Sequence, residues 1–167
     1  MAFRLAQESG EKYRAIAAVV AAMPEKNKCD EPATPVSVLV MNGTDDPILP
    51  YHGGDVGRRK SDKRERGSVI STPNTIKYWL ANNGITSKPS VQLRHEKNKR
   101  DGGTVKVEHY FGGANDTEVV LYEVSGAGHT EPSLSEHYRR LYKLVVGKQN
   151  KDIEMAEEVW KFFDRNN

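Results

Sequence analysis

Residues 35–51 read PVSVLVMNGTDDPILPY. Val36, Val38, Leu39 and Val40 make an apolar, β-branched run with no polar face, the pattern of a strand buried on both sides. Asn42-Gly43-Thr44-Asp45-Asp46-Pro47 breaks it abruptly into a polar turn. In open α/β sheets, ligands and catalytic side chains gather beyond the carboxyl ends of such strands, which is where Asp45 and Asp46 fall. A second run, Glu118 to Val124 (EVVLYEV), ends in Ser125-Gly126-Ala127-Gly128-His129. One strand therefore delivers an acid, and a later one a histidine.

Upstream of this stretch, Met1 to about Ser9 carries Met1 with Leu5 and Ala2 with Ala6 at helical spacing, and Gly10 is placed to close that helix. Nothing in the sequence caps its start. Ala15 to Ala22, ending at Met23-Pro24, reads as a short buried strand, with a helix as the alternative its alanines allow. Glu25 to Thr34 is a polar loop.

Downstream, His52-Gly53-Gly54 leads into Arg58, Arg59, Lys60, Lys63, Arg64 and Arg66, read as a solvated excursion. Thr72 offers an N-cap, Pro73 suits the first helical position, and Ile76, Trp79 and Leu80 form an apolar stripe before Gly84. Val91 to His95 and Thr104 to Tyr110 predict a β-hairpin arm, with Asp101-Gly102 in a tip carrying Arg94, Lys97, Lys99 and Arg100. Pro132 to Asn150 reads as a partly helical flap. Asp152 is the expected cap of a last helix in which Ile153, Ala156, Trp160 and Phe163 share a face.

With 167 residues, one domain with a real core fits and two do not. The chain has 37% hydrophobic and 29% charged residues and a formal charge of +2, too small an excess to imply a nucleic-acid partner. No apolar run is long enough to span a membrane. The single cysteine, Cys29, excludes an internal disulfide and a Cys-rich metal site. The N-terminal apolar stretch follows a charged segment and lacks the order of a signal peptide, so it reads as part of the fold.

A carboxylate on one turn and a histidine on another are what a histidine-based hydrolase needs. The acid fixes the tautomer and stabilises the imidazolium while the ring moves protons. A turn aspartate is also commonly a cap and a lone histidine commonly structural, so the pair alone leaves both readings open.

The wider pattern is more specific. NGTDDPILPY resembles the acid loop of α/β-hydrolases, and GAGHTEP resembles their Gly-Gly-Gly-His turn. With MAFRLA, STPNTIKYWLANNG, the HYFGG to EVVLYEV segment and DIEMAEEVWKFF, nearly the whole chain resembles, in order, the polyhydroxybutyrate depolymerase and feruloyl esterase group of serine esterases. The resemblance implies an α/β fold, specifically the C-terminal part of an α/β-hydrolase: the last parallel strands, flanking helices and a hairpin arm, with residues 1–167 forming one partial domain. It makes Asp46 the triad acid and His129 the general base, and requires neither metal nor organic cofactor. Asp45 receives no chemistry, and His52, His95, His109 and His137 fall outside the motif as polar surface or loop residues.

In that family a Gly-x-Ser-x-Gly elbow stands immediately before a helix resembling Met1 to Ala6. No serine of this chain has that setting; Ser9, Ser68 and Ser125 each have a glycine neighbour without the full motif. The nucleophile and both oxyanion donors would then lie outside this chain, leaving it inactive alone. The same resemblance leaves the Ala15 to Ala22 strand as an apolar sheet edge open to a complementary fragment or a second copy. It implies a secreted or periplasmic setting. Glu131 stands where relatives often place Trp, and Ile85 where many have a cysteine, so Cys29 has no expected partner. The competing readings are a non-catalytic hydrolase-like module for binding or oligomerisation and, on stretches 58–66 and 94–100, a nucleic-acid surface; the latter lacks interleaved aromatics.

Overall fold

The computed structural model describes residues 1–29, 31–57, 66–94 and 103–167. Of the basic stretches expected at 58–66 and 94–100, only Arg66 and Arg94 are among the described residues; 58–65, 95–100, His95 and the hairpin tip at 101–102 lie outside them. The helices are α1 (Ala2–Ser9), α2 (Thr72–Asn82), α3 (Arg140–Val146) and α4 (Met155–Arg165). The strands are β1 (Ala15–Val19), β2 (Ser37–Gly43), β3 (Gly54–Asp55), β4 (Ser68–Val69), β5 (Ser90–Arg94), β6 (Val105–Tyr110) and β7 (Val119–Val124).

The main sheet has five strands in the order β1-β2-β7-β6-β5. β1, β2 and β7 are parallel, with Ile16 opposite Val38 and Val40 opposite Leu121. β6 and β5 continue the sheet antiparallel, β6 through Val107 opposite Tyr122. The architecture is mixed α/β with a mostly parallel centre, compatible with an α/β-hydrolase-like fold. β1 forms one edge, and among the described residues no strand pairs with its outer side.

The two faces of the sheet explain the run in β2. Val38 and Val40, with Ile16, Ala18, Val119 and Leu121, pack beneath α1 and α2 against Phe3, Ala6, Ile76 and Trp79. Leu39 and Met41, with Val120, Tyr122 and Val124, turn to the opposite face and meet Phe162 of α4. A strand covered by helices on both sides must be apolar at consecutive positions, because alternation sends its neighbours to opposite cores.

Several local expectations are corrected. Gly10 does not take a left-handed cap conformation; its φ of −55° continues into a 3-10 turn, Gly10–Lys12. Its lack of a side chain serves packing, since a Cβ would meet Val36 Cγ2 at 3.2 Å and the Thr34 carbonyl at 3.3 Å. The α2 cap is Ser71, whose hydroxyl accepts from the Asn74 amide, while Thr72 is already helical. The excursion after Tyr51 contains a short antiparallel ribbon, β3 with β4. Asp152 is buried and bonded to Asn150 rather than capping α4, which starts at Met155. The inward residues of α4 are Glu158 and fully buried Phe162, and Trp160 is 71% exposed.

Candidate functional site

β2 and β7 lie side by side in parallel, so the turns that follow them emerge at the same end of the sheet. Backbone pairing continues past the strands: Thr44 N–H donates to Val124 O at 3.0 Å and Asp45 N–H to Ala127 O at 3.0 Å. The Gly126 amide donates to Thr44 Oγ1 at 2.9 Å. The acid turn and the histidine turn are thus one hydrogen-bonded unit.

In that unit Asp46 Oδ2 faces His129 Nδ1 at 2.9 Å. Asp46 Oδ1 accepts the amides of Ile48 at 2.7 Å and Leu49 at 2.8 Å. The carboxylate is 3% exposed, and the two backbone amides on Oδ1 set its orientation toward the imidazole. The imidazole is 30% exposed, and among the described residues its Nε2 has no hydrogen-bond partner. The pair is therefore oriented from within, through one ring nitrogen, leaving the other available for proton transfer.

Close backbone approach makes this possible. A Cβ on Gly43 would sit 2.2 Å from Ala127 O, and one on Gly128 would sit 2.1 Å from Val146 O and 2.5 Å from Gly147 Cα. Gly147 itself has φ +93°, with Gly128 Cα 2.7 Å from where its Cβ would be. Three backbone segments, the acid turn, the histidine turn and the end of α3, therefore cross in direct contact. Hydrogen bonds bind the third to the second: Gly128 N–H to Lys148 O at 2.8 Å and His129 N–H to Val146 O at 2.6 Å.

Gly147 and Gln149 carry no expectation from the sequence, and Asn42, expected to open the polar turn, is still within β2. Asn42 donates from Nδ2 to Ala21 O at 3.0 Å and to Thr72 Oγ1 at 2.9 Å, tying the end of β2 to β1 and α2. Buried Gln149 donates to the carbonyls of Glu131 at 3.2 Å and Glu136 at 3.1 Å, folding the flap upon itself. Only the Gly-Lys that ends α3 hinted at the first; the amides carry no local signal.

Glu131 does not enter the Asp46–His129 pair: it accepts from Tyr138 Oη at 2.6 Å. That hydrogen bond, with burial and the carboxylate's charge, pushes the Tyr138 phenol up to about 12. Asp45 is exposed and accepts the Thr44 hydroxyl at 3.2 Å. His52 and His137 are exposed. His109, expected as a surface or loop residue, belongs to β6 and bonds Glu118 at the opposite end of β7 from His129. Among the described residues no cluster of His, Cys, Asp and Glu could hold a metal ion, and no helix is long and apolar enough to cross a membrane.

No family model matches the chain. Over 166 residues, 97% of its length, it is 26% identical to a protein of Nocardia uniformis subsp. tsuyamanensis named "Putative esterase NocK". The chain spans 47% of that protein's length. The likeness supports an esterase-like relationship.

Proposed function

We propose that this chain carries the acid and the base of a serine carboxylesterase site, with the nucleophile contributed by a segment outside it. The observation that carries this reading is the buried Asp46 carboxylate held by two backbone amides and bonded to His129 Nδ1 at 2.9 Å. In the reaction, His129 Nε2 takes the proton of a serine hydroxyl as Oγ attacks the ester carbonyl. The tetrahedral intermediate collapses, the C–O bond to the alcohol breaks, and His129 returns the proton to the leaving oxygen. Water then repeats the cycle on the acyl-serine, releasing the acid. Asp46 keeps Nδ1 protonated and offsets the imidazolium charge at each step.

The finer assignment, to the polyhydroxybutyrate depolymerase and feruloyl esterase group, rests on the motif resemblance around both turns. Its candidate substrates are short-chain aliphatic esters, hydroxyalkanoate oligomers and feruloylated saccharides. The open edge of β1 is the place for the nucleophile-bearing segment to add its strand, since a parallel edge presents unpaired amides and carbonyls.

The test has two stages. The chain alone should neither hydrolyse a short-chain chromogenic ester nor react with a serine-directed phosphonate. Joined to a segment bearing Gly-x-Ser-x-Gly, it should do both. His129→Ala and Asp46→Asn should then each lower kcat by about 10³-fold or more. Turnover by the joined protein that survives His129→Ala, or turnover by the chain alone that depends on an internal serine, would overturn the reading.

A further inference from the structure

β1 ends on a strained residue. Val20, directly after the strand, has φ +49°, a left-handed conformation that a β-branched side chain rarely adopts. Such a residue persists only where its surroundings hold it, and residues of this kind gather at functional sites. The turn stands at the carboxyl end of a parallel strand, the same end of the sheet that carries Asp46 and His129.

Asn42 holds it. The Val20 amide still pairs with Met41 O at 2.8 Å. Beyond it, Asn42 takes both main-chain polar groups of Ala21: Oδ1 accepts from the Ala21 amide at 3.1 Å, and Nδ2 donates to the Ala21 carbonyl at 3.0 Å. A side-chain amide thus stands in for the next strand partner, and Thr72 Oγ1 fixes it in turn at 2.9 Å. The chain then drops to one face of the sheet, where Met23 is buried with Ile76 and Trp79 and its carbonyl accepts from the Ile70 amide at 3.0 Å. An extended Val20 would carry Ala21 and Ala22 onward in line with β1; the turn leaves that space clear. Val20, Ala21 and Ala22 are half-buried, and none has a polar side chain.

We infer that Asn42 is a positioning residue for substrate: it holds the turn at 20–22 aside, and the acyl group of the ester lies on that turn. This rests on the esterase reading above. With the serine carried beside β1 and His129 oriented by Asp46 after β2, the two must meet across the end of β1, which puts the turn beneath the reacting atoms. The leaving alcohol faces His129 Nε2, which returns its proton. The acyl group therefore points away from the imidazole, over the small apolar side chains of the turn. The substrates that fit are esters whose acyl part is apolar.

The test uses the chain joined to its Gly-x-Ser-x-Gly segment, with p-nitrophenyl acetate, butyrate and hexanoate, which share one alcohol. Asn42→Leu removes all three side-chain hydrogen bonds and adds no charge, so Val20 is free to relax. KM should climb with acyl length, by about tenfold for the hexanoate, at nearly constant kcat. Val20→Gly takes a φ of +49° without strain and should restore KM in the Asn42→Leu background. In the chain by itself, Asn42→Leu should speed exchange of the Ala21 amide and leave the His129 Nδ1–H resonance in place. Should Asn42→Leu fail to fold, Asn42→Asp, which loses only the bond to the Ala21 carbonyl, takes its place with the same expectations in milder form. An unchanged KM, a KM raised equally for all three esters, a loss confined to kcat, or no restoration by Val20→Gly overturns the inference and leaves the esterase reading standing. Wild-type turnover that is indifferent to His129→Ala overturns the reading itself, and this inference with it.

Discussion

Gly128 lies where two backbones leave no room for a side chain. A methyl there would meet Val146 O at 2.1 Å and Gly147 Cα at 2.5 Å, both main-chain atoms that cannot swing aside. Overpacking of this kind costs about 1–3 kcal/mol or more. We expect Gly128→Ala to lower Tm by roughly 5 °C or more for a chain of this size. The Nδ1–H proton resonance of His129 should also be lost as the turn moves from Asp46. A Tm unchanged within about a degree, with that resonance intact, would mean that the three-way backbone contact does not hold the pair. The glycines of GAGH were visible in the sequence. That Gly128 needs Gly147, on a different segment, was not, because contact between distant backbones has no local signature.

For α4, two carboxylates do the fastening. Glu158 points inward and accepts Tyr122 Oη at 2.7 Å, Lys161 Nζ at 3.1 Å and Arg94 Nη2 at 3.4 Å. Glu118, just before β7, accepts Arg165 Nη2 at 3.1 Å and Asn166 Nδ2 at 2.7 Å from the helix end, and also bonds His109. Burial pushes both acids up, but the hydrogen bonds and cationic neighbours outweigh it and hold both below the usual carboxylate value. A depressed native value adds stability that is fully present above the unfolded carboxylate range, about 4.3, and is lost as pH falls through the lower native values. Amide exchange in α4 should therefore accelerate as pH falls below about 4.3, before the β2 and β7 amides respond. Glu118→Gln with Glu158→Gln should loosen α4 at neutral pH and flatten that acid dependence; exchange in α4 that is equally protected at both pH values in the wild type would refute the argument. Glu158 also explains why the helix face was misjudged. A charged residue in the inward stripe broke the apolar pattern, so the expected face ran through Trp160 and Phe163 instead of Phe162.

At the scale of the whole molecule, the sheet stops at β1, and exposed aromatic side chains stand among polar ones beside the start of that strand. Trp160 is 71% exposed, Tyr13 40% and Phe163 38%, and they border a groove that also reaches Ala15. An open parallel edge flanked by exposed aromatics is a template for strand addition. Alone in solution, the chain is expected to self-associate through this edge. Sedimentation velocity should show mass rising with concentration, and Trp160→Glu should shift the population toward monomer with little change in Tm, because the side chain is largely in solvent. Association that Trp160→Glu leaves untouched would mean that the β1 edge is not the contact.

The sequence by itself determined the elements around the centre. The β-branched run at 36–40, apolar at consecutive positions, reads as a strand covered on both sides, alternating Val105 and Val107 mark a hairpin strand, and Asn-Gly-Thr-Asp-Asp-Pro marks the exit from the sheet, although Asn42 and Gly43 still pair with β7 and the chain leaves only at Thr44. Those are short-range consequences of side-chain period and backbone freedom, legible within a few residues. The tertiary structure alone decided that β7 pairs beside β2 and not beyond the hairpin, which brings the turns of Asp46 and His129 to one end of the sheet. It also decided that α3 turns its aliphatic side outward and that buried Glu118 and Glu158 hold α4 to the sheet. These outcomes depend on strand order, on glycine-permitted backbone contact and on charge pairing across the core. Such interactions join residues far apart in the chain, and no periodicity along it encodes them.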